Sequence, residues 1–256
     1  AFVGLVVMLM AFSFVHSMVQ GYDLLAAVEV WPLIAISVMG QLMYGSSLVV
    51  TLRHGDLSSY YPIVRSSPLF IVVVGVLFLG ESYTWVLLAG IACVLTGAFA
   101  LQYRRGSHLF DDPRTLLFAL IAMSGTGIYS IVDARAMQVI EPPVLFFWVE
   151  VFNLPCYLLI FRFLGLPETR YCHLFQWVKK PILFIGLGGI CYLSYFLILT
   201  AYSMGGEVAA VTSVRQASIP ISVVLGGLMF REGSMIRRLI ASCLLASGIV
   251  IVVILG

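Results

Sequence analysis

The chain has 256 residues, 61% of them hydrophobic and only 10% charged, with a formal net charge of +2. A mean hydropathy of +1.07 excludes a water-soluble domain, because a surface that apolar would not stay solvated. A membrane β-barrel is excluded as well: runs such as VLLAGIACVLTGAFAL and LLASGIVIVVIL are continuous, whereas lipid-facing strands alternate over about ten residues. An all-α membrane protein remains.

A spanning helix needs about 20 mainly apolar residues, and nine runs meet that need. The first, 1–20, begins inside an apolar stretch without a methionine, a charged start or a clear cleavage site. It reads as a spanning helix with a further N-terminal piece ahead of it, not as a signal peptide. The second, 32–52, carries Gln41 and Tyr44; the third, 58–79, carries Arg65 and Pro68 and ends in FLGE. The fourth, 83–102, has Gly90 and Gly97. Beyond a basic loop come 115–138 with Asp133 and 142–163 with Glu150. The run 181–203 contains Tyr192, Tyr195 and Tyr202, 207–230 contains SVRQASIP with Arg215 and Pro220, and 236–255 closes the series. Five cysteines without a CxxC pair, and His16, His54, His108 and His173 scattered singly, indicate neither a disulfide framework nor a metal site. No cofactor is expected.

The chain repeats itself. Glu81 and Glu232, Gly90 and Ala241, Gly97 and Gly248, and Gly75 and Gly226 stand 151 residues apart; Gly55 and Gly205, Val64 and Val214, and Arg65 and Arg215 stand 150 apart; Pro68 and Pro220 stand 152 apart. The run 32–52 therefore matches 181–203, 58–79 matches 207–230, and 83–102 matches 236–255. By continuation 1–20 matches 142–163, which leaves 115–138 without a mate. Two repeats of five helices are expected, 1–106 lacking its first helix and 107–256 complete. An odd number of spans makes the second copy enter from the opposite side, so the bundle should be an inverted repeat, an arrangement typical of secondary transporters with a site near the midplane.

The stretch PLFIVVVGVLFLGESYTWVLLAGIACVLTG, and its second copy PISVVLGGLMFREGSMIRRLIASCLLASG, resemble the EamA-type repeat of the drug/metabolite transporter superfamily. The resemblance spans nearly the whole chain, departing from the usual pattern where FREG stands for FLGE and in the missing first helix. It implies a ten-helix basket in which the third, fourth, eighth and ninth helices help line a central cavity while the fifth and tenth pack outside. It also implies export or import of small metabolites, amino acids, sugars or nucleotide-linked compounds.

Loop charges bear on orientation. Arg53, Arg104, Arg105, Arg114, Arg162, Arg170, Lys179, Lys180, Arg231, Arg237 and Arg238 fall on one face, with only Arg135 near the other. The positive-inside rule makes the eleven-charge face cytoplasmic and puts the end near Gly256 outside, whereas the resemblance implies both ends inside. The charge count is preferred.

An ionised side chain mid-span costs roughly 2.5–3.5 kcal/mol on insertion scales, so it faces a partner, the bundle interior or a watery cavity. Arg65, Arg215, Asp133 and Glu150 qualify. One reading pairs the two cations with the two carboxylates as structural ion pairs. The other places the arginines on a substrate cavity. At about 1.5 Å per residue, Arg65 lies roughly 12 Å from one face and Arg215 roughly 15 Å from the other. Each precedes a proline, where a missing backbone donor loosens the helix and leaves carbonyls free for a ligand. Guanidinium forks suit a carboxylate, phosphate or phosphonate, and Gln41, Tyr44, Tyr192 and Tyr195 could add selecting hydroxyls or amides. Tyr192 and Tyr195 share a face by their spacing. Glu150, with Asp133 beside it as a candidate, offers a carrier for a coupling proton. Glu81 and Glu232 close their helices at the boundary and read as solvated or helix-linking.

The expected function is secondary-active transport, including efflux, of a small anionic or zwitterionic metabolite such as an amino acid, organic acid or phosphonate. Its partners are the lipid bilayer, the cargo and protons, without nucleic acid, and its place is the bacterial inner (plasma) membrane. An intramembrane enzyme acting on lipid would want HExxH, GxSxG or clustered Asp and His, none of which occurs. A passive channel is the third reading. No GxxxxGK[ST] stretch is present, so energy is expected from gradients.

Overall fold

A computed structural model describes residues 2–54, 60, 63–102, 113–163, 180–219, 221 and 235–254. Among these, every regular element is helical. The α-helices are α1 (Phe2–Gln20), α2 (Trp31–His54), α3 (Ser67–Val74), α4 (Trp85–Gln102), α5 (Pro113–Ala136), α6 (Pro142–Phe163), α7 (Pro181–Ser203), α8 (Val208–Val214) and α9 (Met235–Ile254). A 3-10 stretch, Leu24–Val30, leads into α2, started by Asp23, whose carboxylate accepts from the Leu25 N–H at 2.8 Å. Glu232, Gly226, Pro220, Gly55, His108, His173, Cys172 and the basic residues Arg104, Arg105, Arg170, Lys179 and Arg231 lie outside the described residues.

Five stretches are long and apolar enough to cross a membrane: Val3–Gln20, Leu24–Thr51, Pro113–Ala136, Pro142–Phe163 and Pro181–Ser203. With Trp85, Phe163 and Ile182 left exposed as in a lipid-facing surface, the chain is an integral membrane protein. Three other apolar helices are described over shorter stretches: Ser67–Leu79, Trp85–Ala100 and Ile240–Val252. Local chemistry sets where two of the helices begin. The Thr84 hydroxyl accepts from the Leu87 N–H at 3.1 Å, so α4 starts at Trp85 and not at 83. Before α3 the helix is interrupted at Ser66: Pro68 has no N–H to give, and the Leu69 N–H turns to the Ser66 carbonyl at 3.0 Å.

The chain forms two compact units, Ala1–Ser46 with Ile128–Gly206, and Ser47–Gly127 with Glu207–Gly256. Each draws on both halves of the sequence. In the first unit α1 packs against α6 and α7, and α6 against α7 and the 3-10 stretch. Phe12 stacks on Tyr192 with ring centroids 6.1 Å apart, Phe14 meets Phe147 at 5.6 Å, and the Trp148 Nε1–H donates to the Leu24 carbonyl at 2.9 Å.

In the second unit α4 lies along α9, and α3 along α8. Val94, Ala98, Ile219, Ala241 and Leu245 form its core. Small residues set the spacing of α4 and α9, because they let helix backbones approach closely where hydrophobic force between helices is absent. A Cβ on Gly97 would sit 2.7 Å from the Leu245 nitrogen, and one on Gly248 would sit 2.6 Å from the Val94 nitrogen and 2.8 Å from the Gly90 carbonyl oxygen. Gly97 and Gly248, 151 residues apart in the sequence, thus mark this contact. At the far end of α3 a π-turn, Gly75–Leu79, is closed by Gly80 at φ 68°, a left-handed position that favours glycine. The Glu81 N–H donates to the Gly75 carbonyl at 3.0 Å.

Candidate functional site

Polar side chains inside the spanning helices gather at one place in each unit. In the first unit the centre is Asp133 on α5, 1% exposed. Its Oδ1 accepts from the Ser37 hydroxyl on α2 at 2.5 Å, and its Oδ2 accepts from the Tyr195 hydroxyl on α7. One carboxylate thereby ties three helices, and both of its oxygens are served by donors. Rings continue outward from it: Tyr195 to Tyr129 and Tyr129 to Tyr44, each with centroids 6.3 Å apart. Phe146 touches both Tyr192 at 5.4 Å and Tyr195 at 5.2 Å, which places the two tyrosines on one face of α7 as their spacing predicts. His16 does not stand alone: its Nδ1 shares a 2.7 Å hydrogen bond with the Tyr192 hydroxyl.

A second layer joins α2 to α6. The Asn153 Nδ2–H donates to the Gln41 Oε1 at 2.7 Å, and the Tyr157 hydroxyl donates to the Gln41 carbonyl. Gly45 makes room, since a Cβ there would reach within 2.8 Å of the Tyr157 ring. Glu150, one turn before Asn153, is 9% exposed and lies within electrostatic reach of Tyr157. Among the described residues it makes no hydrogen bond or ion pair, so it differs from Asp133, whose two oxygens are both engaged.

The second unit holds the cations. Arg65 and Arg215 are half-buried, each at a break in its helix: Arg65 just before the turn at Ser66, Arg215 at the start of a 3-10 turn, Arg215–Ala217, that follows α8. The breaks touch. The Gln216 Nε2 donates to the Arg65 carbonyl at 3.0 Å and lies 3.4 Å from the Thr212 carbonyl of its own helix. The Arg65 carbonyl, released because the Leu69 N–H turns to Ser66, is therefore capped by the neighbouring helix. Arg65 and Arg215 belong to this unit, whereas Asp133, Glu150, Gln41, Tyr44, Tyr192 and Tyr195 belong to the other.

A third polar group lies outside the spans. The Tyr83 hydroxyl donates to the Glu81 carboxylate, and its own ionisation is pushed up, first by burial and then by that bond. Glu207, before α8, is held above the ordinary carboxylate range, first by partial desolvation and then by the charge of Glu81. Glu81 thus links the end of α3 to the start of α4. Its counterpart Glu232 lies outside the described residues. Among the described residues no three His, Cys, Asp or Glu side chains are gathered as a metal would need.

Sequence reasoning missed Ser37, Tyr129, Asn153, Tyr157 and Gln216. All are polar groups inside apolar runs, which was the available signal; Gln216 even adjoins Arg215. What the sequence lacked was the helix–helix register that makes partners of residues up to 151 positions apart.

No known family profile and no curated protein matches the chain. Its fold is similar to a solved structure described only as the crystal structure of a protein, with a TM-score of 0.73 and 18% identity over 99% of this chain and 87% of that one. At that identity the likeness concerns the fold alone.

Proposed function

We propose that the chain is a secondary-active transporter of the drug/metabolite type, an EamA-like inverted repeat of five and five helices in a bacterial inner membrane. It moves a small anionic or zwitterionic metabolite by alternating access, outward movement included. The observation that carries this reading is the pair of repeat-related arginines, each at a break in an apolar helix, with the two breaks hydrogen-bonded through Gln216. A permanent cation inside a span is costly unless it has work to do, and discontinuous helices are where transporters bind their cargo. The packing of repeat mates α3 with α8 and α4 with α9 also supports the repeat. Arg65 and Arg215 hold the negative group of the cargo, and Glu150 carries the coupling proton while Asp133 holds its helices.

Reconstitution in liposomes tests the reading. Exchange of a labelled mixture of amino acids, organic acids and phosphonates should saturate and respond to an imposed pH gradient. Arg65→Gln or Arg215→Gln should reduce it to the level of empty liposomes while the purified protein stays monodisperse. Normal exchange by both variants removes the arginines from the binding role; unsaturable flux indicates a channel.

A further inference from the structure

Inside the first unit, between α2 with its leading 3-10 stretch and α6, lies a cavity of about 460 Å³, the size of a ligand site. Ala27, Trp31 and Ala35 line one wall and Trp148, Phe152 and Cys156 the other, and the lining is almost entirely apolar. Two polar ties bracket it. The Trp148 Nε1–H meets the Leu24 carbonyl at 2.9 Å, and the Asn153 Nδ2–H meets the Gln41 Oε1 at 2.7 Å. These bonds fix the separation of the walls and make them run in the same direction, while the small side chains of Ala27 and Ala35 leave the space between. Phe152 is stacked on Trp148, ring centroids 6.0 Å apart, and so stays on its own wall. Trp31 and Phe152 are 66% and 48% exposed, so the cavity is a groove open along the flank of two spanning helices, where the surroundings are lipid.

We propose that this groove holds one acyl chain of a phospholipid whose headgroup ends in an ammonium, of the phosphatidylethanolamine class. The length suits a chain: at about 1.5 Å per residue, the walls Trp31–Val38 and Trp148–Cys156 each run roughly 11–12 Å, close to the roughly 15 Å of one leaflet. A polar cargo would leave its donors and acceptors unpaired against such walls. A helix of a second chain, about 10–12 Å across, would need walls farther apart than the two ties allow. Charge selects the head. Glu29 stands between Val28 and Trp31, both of which line the groove; Asp23 starts the same 3-10 stretch, and Glu141 directly precedes α6. All three are exposed. No Lys or Arg occurs in 1–52 or 136–161, so the segments that build the groove offer carboxylates without a cation at the end where both walls begin. An ammonium is attracted there, and a purely anionic head is repelled.

Trp31 and Trp148, as parts of the walls, report the occupant. Wild-type protein in detergent is titrated with phosphatidylethanolamine brominated on one acyl chain, and quenching of tryptophan emission is followed. Quenching should saturate near one lipid per protein. Unbrominated phosphatidylethanolamine should reverse it at a concentration about tenfold or more below that needed of phosphatidylglycerol with the same chains. Ala35→Phe, which fills the groove from an exposed position, should remove the saturable part, and Glu29→Gln should narrow the headgroup preference by about threefold or more. The wild-type titration decides the matter even if a variant fails to fold. Quenching that rises linearly with lipid, or that still saturates in Ala35→Phe, overturns the proposal. Equal reversal by phosphatidylglycerol, or a preference unchanged in Glu29→Gln, overturns it as well.

Discussion

Asp133 and Glu150 show how two carboxylates in one unit take different roles from their neighbours. Asp133 receives two hydroxyl donors, from Ser37 and Tyr195, which is what an ionised or strongly hydrogen-bonded acid needs to be stable away from water. Asp133→Asn turns one acceptor oxygen into an N–H that faces a hydroxyl. We expect it to destabilise the protein by about 1–3 kcal/mol, visible as a lower melting temperature in detergent, whereas Glu150→Gln should leave the melting temperature close to wild type. At the membrane edge the relevant acid is Glu207. Its raised ionisation means that the folded chain holds the proton more tightly than the unfolded chain. The stability it contributes is full below the ordinary glutamate value, about pH 4, and is lost as pH rises through the folded-state value. Glu207→Gln should therefore flatten the fall in melting temperature across that window. The effect will be small and weaker in salt, since the side chain is exposed and its charge is screened.

At the scale of elements, the contact of α4 with α9 is set by glycine, not by large apolar side chains. Gly97→Ala places a Cβ 2.7 Å from the backbone nitrogen of Leu245, and backbone cannot step aside as a flexible side chain can. Overpacking of this kind costs about 1–3 kcal/mol. Gly186→Ala on α7 meets nothing within 4 Å and gains helix propensity, up to about 1 kcal/mol. The two variants should move the melting temperature in opposite directions; a neutral Gly97→Ala would show that the helices are farther apart than described. The same logic accounts for the repeat-matched Gly90, Gly97, Ala241 and Gly248. These positions were legible in the sequence because a requirement for a small residue leaves a fixed identity behind. The interruption at Ser66 and the start of α4 at Trp85 were less legible, since Pro68 and Thr84 act through local hydrogen bonding that a hydropathy count does not see.

For the whole molecule, alternation of spans gives a topological expectation. Arg53, Arg114, Arg162 and Lys180, at ends of α2, α5, α6 and α7, should share the cytoplasmic face, while Gly21, Val139 and Gly205 should share the other. Single cysteines placed at Arg162 and Val139 in a cysteine-free background should react with a membrane-impermeant maleimide from opposite sides of sealed vesicles. Reaction of both from the same side would refute the charge-based orientation and the odd-numbered repeat together. The two compact units cut across the two sequence halves, each half supplying helices to both units.

Hydropathy and self-similarity were enough, without coordinates, to establish a helical membrane chain and to single out Arg65, Arg215, Asp133 and Glu150, because burying charge in lipid is so costly that every instance stands out from its surroundings. Tertiary structure alone decided which groups are satisfied. That Asp133 is doubly bonded, that Glu150 is not and that the Arg65 carbonyl is capped all depend on which face of one helix meets which face of another, a relation carried by packing geometry and not by any local pattern of residues.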